Sequence, residues 1–109
     1  MKSYSRGSVI LVRFPFSDLT SSKVRPAIVV SASHPSQDIL IVPVTSKIDR
    51  LLPGEFAIRD WQAAGLNIAS AVKRGIFTIH HNLIIATVGS VSAYDEVHLE
   101  TSLRSWLGL

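Results

Sequence analysis

The sequence predicts a mainly β protein, a small curved or barrel-like sheet against which one C-terminal helix packs. Two observations carry this reading. Short apolar runs, bounded by Gly, Pro and polar clusters, recur from Val9 to Val88, and only the segment after Ser92 keeps a helical period. Residues 9–14 read as a buried strand between Gly7 and Pro15, and residues 16–23 as a polar loop. Residues 25–31 and 39–45 are two strands joined by the short polar loop 32–38, most simply a hairpin. Pro26 suits the first position of a strand and holds Arg25 extended, whereas Pro43, deeper in its run, argues for an edge or a bulge.

Residues 46–54 form a second loop with the turn signal Pro53-Gly54. Short strands follow at 55–58, 70–73 and 76–79, and Asp60 caps a brief helical turn over 61–64 that Gly65 stops. His80-His81-Asn82 is a turn before a last strand at 84–88. Ser92 then starts the long helix, with Asp95 three residues on as its capping-box partner. Leu99, Leu103, Trp106 and Leu107 fall on one face, the stripe expected to meet the core.

With 109 residues, 47% hydrophobic and 17% charged, the chain reads as one folded domain over 1–109. It has no cysteine, which excludes disulfides and thiolate metal sites and agrees with a cytoplasmic address. No apolar run reaches membrane-spanning length, and the first seven residues lack the apolar core of a signal peptide. Eleven basic against eight acidic residues give a net charge of +3, which by itself favours a polyanionic partner only slightly. Placement says more: Lys23, Arg25, Lys47, Arg50, Lys73 and Arg74 all flank strand ends or loops. If the fold gathers those loops, one face is basic.

The hairpin gives the sharpest local inference. Counting outward from its loop, Ser31 faces Ile39 and Arg25 then faces Thr45. Opposed residues share a face, about 5 Å apart at Cβ. A guanidinium and a hydroxyl are thereby set together at a sheet edge, a place suited to a phosphate.

The segments around this pair, Gly7-Ser8-Val9-Ile10-Leu11-Val12, Phe14-Pro15-Phe16-Ser17-Asp18-Leu19, Lys23-Val24-Arg25-Pro26-Ala27-Ile28-Val29-Val30-Ser31 and Val42-Pro43-Val44-Thr45-Ser46, together resemble the PemK/MazF family of bacterial toxins. The resemblance is dense over 7–46 and continuous in layout beyond. It implies an SH3-like barrel of the PemK/CcdB type and a sequence-selective endoribonuclease that cuts single-stranded RNA with no metal or other cofactor. It further implies a homodimer with a shared RNA groove, occluded by the tail of a cognate antitoxin. The apolar run at 39–44 suits a strand buried on two sides, which favours such pairing.

The family's active-site pair falls on Arg25 and Thr45, as transition-state stabiliser and hydrogen-bond donor. Lys23, Ser46, Lys47, Lys73 and Arg74 are the further RNA-binding candidates, each equally readable as a solvated loop residue. Phe16 reads as a loop anchor or, functionally, as a base-stacking aromatic. Asp18 reads as a turn residue or as part of the loop that gates the family's active site. Some members carry an aspartate where Gly75 stands, so Asp18, Asp49 or a histidine has to replace it in any mechanism that needs a carboxylate. His80-His81 lacks acidic or thiol ligands at metal spacing and reads as a solvated turn.

Two other functions fit the same fold. CcdB toxins share it and bind DNA gyrase without cutting nucleic acid, and their Trp-Gly-Ile ending is loosely echoed by Trp106-Leu107-Gly108-Leu109. A barrel that binds RNA or protein without catalysis is the other, with Gly75 as its support.

Overall fold

The computed structural model describes residues 4–14 and 23–109; Phe16, Asp18 and the rest of 15–22 lie outside the described residues. Among the described residues, strands Ser8–Phe14 (β1), Lys23–Val29 (β2), Asp38–Thr45 (β3), Phe56–Ala57 (β4), Ala71–Val72 (β5), Phe77–His80 (β6) and Ile84–Ser90 (β7) precede one helix, Ala93–Leu107 (α1). Every ladder is antiparallel, and the sheet runs β4-β5-β3-β2-β1-β7 with β6 also paired to β3. No ladder among the described residues joins β4 to β7, so the expected β fold with its terminal helix is present as an open sheet.

The β2–β3 register is the expected one, with Ile28 opposite Val42 and Val29 opposite Ile41. Pro43 departs from expectation. It lies in a central strand where β3 changes partner, from β6 at Asp38–Ile41 to β5 at Val44 and Thr45. Its carbonyl accepts the Lys73 N–H at 3.0 Å, and its missing donor falls in the gap between the two partners.

The apolar strands read as they do because both faces of the sheet are covered. On one face Val9, Ile28, Val42, Val44 and Val72 pack with Ile58, Ala64 and Leu99 of α1. On the other, Ile10, Val12, Ala27, Val29, Ile41 and Ile79 form a second cluster. The two-sided burial of β3 is therefore satisfied within one chain and no longer argues for a dimer.

Ser92 caps α1 as expected, its hydroxyl accepting the Asp95 N–H at 3.2 Å. Asp95 does more than complete a cap. It is buried, and its carboxylate accepts the backbone N–H groups of Arg59 and Asp60, both at 2.9 Å, fastening the helix start to the chain that follows β4. Leu99 is in the core, and Leu103 and Trp106 pack against it. Leu107 is the exception to the stripe at 56% exposure. It ends the helix just before Gly108 caps it in the left-handed conformation, while Trp106 takes the last inward position and donates from Nε1 to the Pro53 carbonyl at 3.1 Å. No helix among the described residues is long and apolar enough to cross a membrane.

Glu55 fixes the loop between β3 and β4. Its carboxylate accepts the Leu52 N–H at 2.7 Å and the Arg74 N–H at 2.8 Å. The Arg74 and Leu52 N–H groups hold its pKa below the ordinary glutamate value. A depressed folded-state pKa contributes stability above the unfolded value, and that stability is lost as pH falls through the folded one. Glu55→Gln is thus expected to be less stable than the native chain near neutrality, with the gap in urea midpoint closing as pH falls below the ordinary glutamate range.

Candidate active site

The site exists because β2 and β3 part company. Their ladder ends at Ala27 opposite Pro43. Val30 and Leu40 are a hydrogen-bonded level, the Val30 N–H reaching the Leu40 carbonyl at 2.9 Å, so by alternation Pro26 and Val44 are the level at which the next bond is due. Pro26 has no N–H to give. Beyond that point Arg25 stays with β1, opposite Val12, while Thr45 goes with β5, opposite Ala71. The expected register would set Arg25 and Thr45 level if it continued, but the ladder stops two residues short of them. They are separated by an opening instead of joined in one ladder.

That opening is a cavity of about 350 Å³, and Arg25, Thr45, Ser46 and Lys47 are all on its wall. Thr45 Oγ1 accepts the Lys47 N–H at 3.1 Å, an arrangement that leaves the hydroxyl proton for an incoming acceptor. Arg25 is exposed, and its guanidinium makes no hydrogen bond or ion pair with a described residue. Among the described residues, neither a carboxylate nor an imidazole lines the cavity. Two cations and oriented donors without a competing anion suit a phosphodiester.

Four predicted site residues are brought together here, and three others are not. Lys23 begins β2 opposite Phe14, away from the cavity wall. Lys73 and Arg74 follow β5 and are held through their backbones, by Pro43 and Glu55, with neither on the wall. Their spacing from strand ends placed them near the site but did not fix the direction of the chain after β5. Phe16 and Asp18 lie outside the described residues.

The substitute proton carriers among the described residues are also off the wall. His80 pairs with Asp38 at the opposite end of β3, about 23 Å along the strand from Thr45. His34 is in the hairpin loop at that same end, and His98 on α1 sits against Phe56 and Tyr94. Asp49 is not on the wall. Gly75 has φ 149°, with its missing Cβ position 3.1 Å from the Phe77 ring, so the backbone there disfavours the aspartate some family members carry. Among the described residues no three His, Asp or Glu side chains are grouped to hold a metal ion.

One wall was not legible in advance. Residues 65–68 and Ser70 close the cavity opposite the strands, adding the Asn67 amide and the apolar Leu66 and Ile68. Close approach of two backbones holds this segment. A Cβ on Gly65 would meet the Val88 carbonyl, and one on Gly89 would meet the Ala64 carbonyl. The sequence signal was the glycine pair itself, one ending a turn and one inside a strand, where glycine marks a close backbone neighbour. Gly89→Ala is expected to cost about 1–3 kcal/mol in urea denaturation, by forcing the wall off β7.

Residues 5–107 match the family described as PemK-like, MazF-like toxin of type II toxin-antitoxin system. The chain belongs to this family. Comparison with curated proteins finds no match. Among solved structures, an endoribonuclease from a mycobacterial species in complex with its cognate antitoxin is similar at 19% identity. It aligns over 100% of this chain and 97% of its own, with a TM-score of 0.77. MazF from Deinococcus radiodurans is 19% identical with full coverage of both chains and a TM-score of 0.78. The Mycobacterium tuberculosis toxin MazF-mt6 is 18% identical over 94% of this chain and 97% of its own, with a TM-score of 0.72. These likenesses carry the toxin fold. In the C-terminal segment that echoes CcdB, Trp106 donates to the Pro53 carbonyl.

Proposed function

We propose that this PemK/MazF-family chain is an endoribonuclease toxin, cutting single-stranded RNA at selected sequences without a metal ion. The observation that carries the reading is the cavity between the diverging β2 and β3, which holds Arg25 and Thr45 and, among the described residues, has no carboxylate on its wall. The endoribonuclease activity of the similar mycobacterial protein supports it.

In the reaction the ribose 2′-oxygen attacks the adjacent phosphorus as its proton departs. The P–O5′ bond breaks and the 5′-oxygen takes up a proton, giving a 2′,3′-cyclic phosphate and a 5′-hydroxyl. Negative charge gathers on the non-bridging oxygens. Arg25 binds those oxygens through its fork, Thr45 donates to one of them, and Lys47 adds positive potential. Arginine keeps its proton near neutrality, so Arg25 stabilises charge and does not serve as the base.

The remaining parts of the reading concern context. The 109 residues act as one domain in the cytoplasm, where cleavage of messenger RNA inhibits translation and growth. Two copies pair to make a shared groove, and a cognate antitoxin occludes it, in keeping with the antitoxin bound to the mycobacterial neighbour.

The test is incubation of the purified protein in excess EDTA with a long single-stranded RNA, with cut ends mapped and assayed for 5′-hydroxyls. Discrete cuts with 5′-hydroxyl ends are expected. Intact RNA over several substrates would overturn the reading and direct attention to a non-cleaving toxin that binds gyrase.

A further inference from the structure

Resting on the nuclease reading, we infer that the cavity beside Arg25 and Thr45 is also a base pocket, in which Asn67 reads the edge of the nucleobase next to the scissile phosphate. The wall divides by chemistry. Arg25, Thr45 and Lys47 make the phosphate side, whereas Leu11, Leu66, Ile68 and Val88 give an apolar lining against which a flat ring can lie.

The polar groups available to read that ring are few. The Ser70 hydroxyl donates to the Ile68 carbonyl at 2.8 Å, and Thr45 already accepts from the Lys47 N–H. Ser46 is next to the catalytic threonine and offers a single hydroxyl. The Asn67 side chain, exposed and without a described hydrogen-bond partner, is the one primary amide that the described residues put on the wall. An amide presents a donor and an acceptor side by side, and so pairs bidentately with a base edge that shows the reverse, as adenine does. Single-stranded RNA leaves those edges free to be read.

Asn67 is also held well enough to discriminate. It is two residues from Gly65, whose backbone is pressed against β7, and three from Ser70, whose backbone carbonyl accepts the Ile58 N–H at 2.9 Å. A reading group has to be fixed relative to the phosphate site, and this short tethered segment fixes it.

The proposal makes a directional prediction. Asn67→Asp keeps size and shape but replaces the donor by a second acceptor. Its two oxygens match the paired N1–H and N2–H donors of guanine. Cut sites of the native protein, Asn67→Ala and Asn67→Asp are to be mapped on the same long RNA, with circular dichroism as the check of folding. Asn67→Ala is expected to lose preference at a single motif position by on the order of 10- to 100-fold, with the rest of the motif kept. Asn67→Asp is expected to move that same position towards guanine, a change a merely structural residue does not produce. An unchanged motif in both folded variants overturns the base pocket while leaving the nuclease intact. So does loss of all cutting in the folded variants. If the native protein cuts nothing, the nuclease reading fails and this inference fails with it.

Discussion

Arg25→Ala is expected to lower RNA cleavage by on the order of 10²- to 10³-fold, with the fold unchanged. The guanidinium is the group best placed to meet charge developing on phosphate oxygens, and no described residue already binds it. Its replacement leaves Thr45 and Lys47 in place, so substrate binding is expected to weaken far less than turnover. Because Arg25 is exposed, its truncation belongs with surface changes that move stability by about 0.5 kcal/mol or less. Arg25→Lys is expected to recover only part of the rate, since an ammonium keeps the charge without the two-pronged geometry. Single-turnover cleavage of a short RNA, beside urea denaturation of each variant, measures both halves. Full activity in a folded Arg25→Ala protein would remove Arg25 from the chemistry.

Asp95→Ala carries the largest expected loss of stability, roughly 3–5 kcal/mol. The carboxylate is 1% exposed and meets three donors: the Arg59 N–H, the Asp60 N–H and the Ser92 hydroxyl. Alanine leaves two backbone N–H groups without an acceptor beside a helix start that also loses the negative charge suited to it. For a domain of 109 residues the midpoint of thermal unfolding is expected to fall by about 15 °C or more. Asp95→Asn is a sharper comparison, because an amide accepts at one position and turns its own N–H against a donor at the other. A loss no greater than that of an exposed-site substitution would show that the two N–H groups find other partners.

Much of this arrangement was legible because strands announce themselves by composition and hairpins by their loops. The register pairing Ile28 with Val42 followed from counting residues, and Arg25 and Thr45 do share one cavity wall. What counting did not supply was the fate of each strand beyond the hairpin. In the sequence Pro26 signals the conformation it imposes, whereas its decisive property at this site is the hydrogen bond it withholds. Asp95 was read as a local cap because capping patterns are sequence-local, whereas its main donors come from 35 and 36 residues away. Asn67 had no motif to mark it, and joined the site only through backbone contact between Gly65 and β7. Lys73 and Arg74 are close in sequence to β5 but off the cavity wall, with their backbone N–H groups bound by Pro43 and Glu55. Leu107 keeps the helical period, yet it is exposed where the helix ends while Trp106 packs inward.

Arg25 and Thr45 ride on different pieces of the sheet, one fixed to β1 and the other to β5. The distance between the two side chains is therefore set where the β2–β3 ladder ends, at Ala27 opposite Pro43, and not by either residue's own ladder.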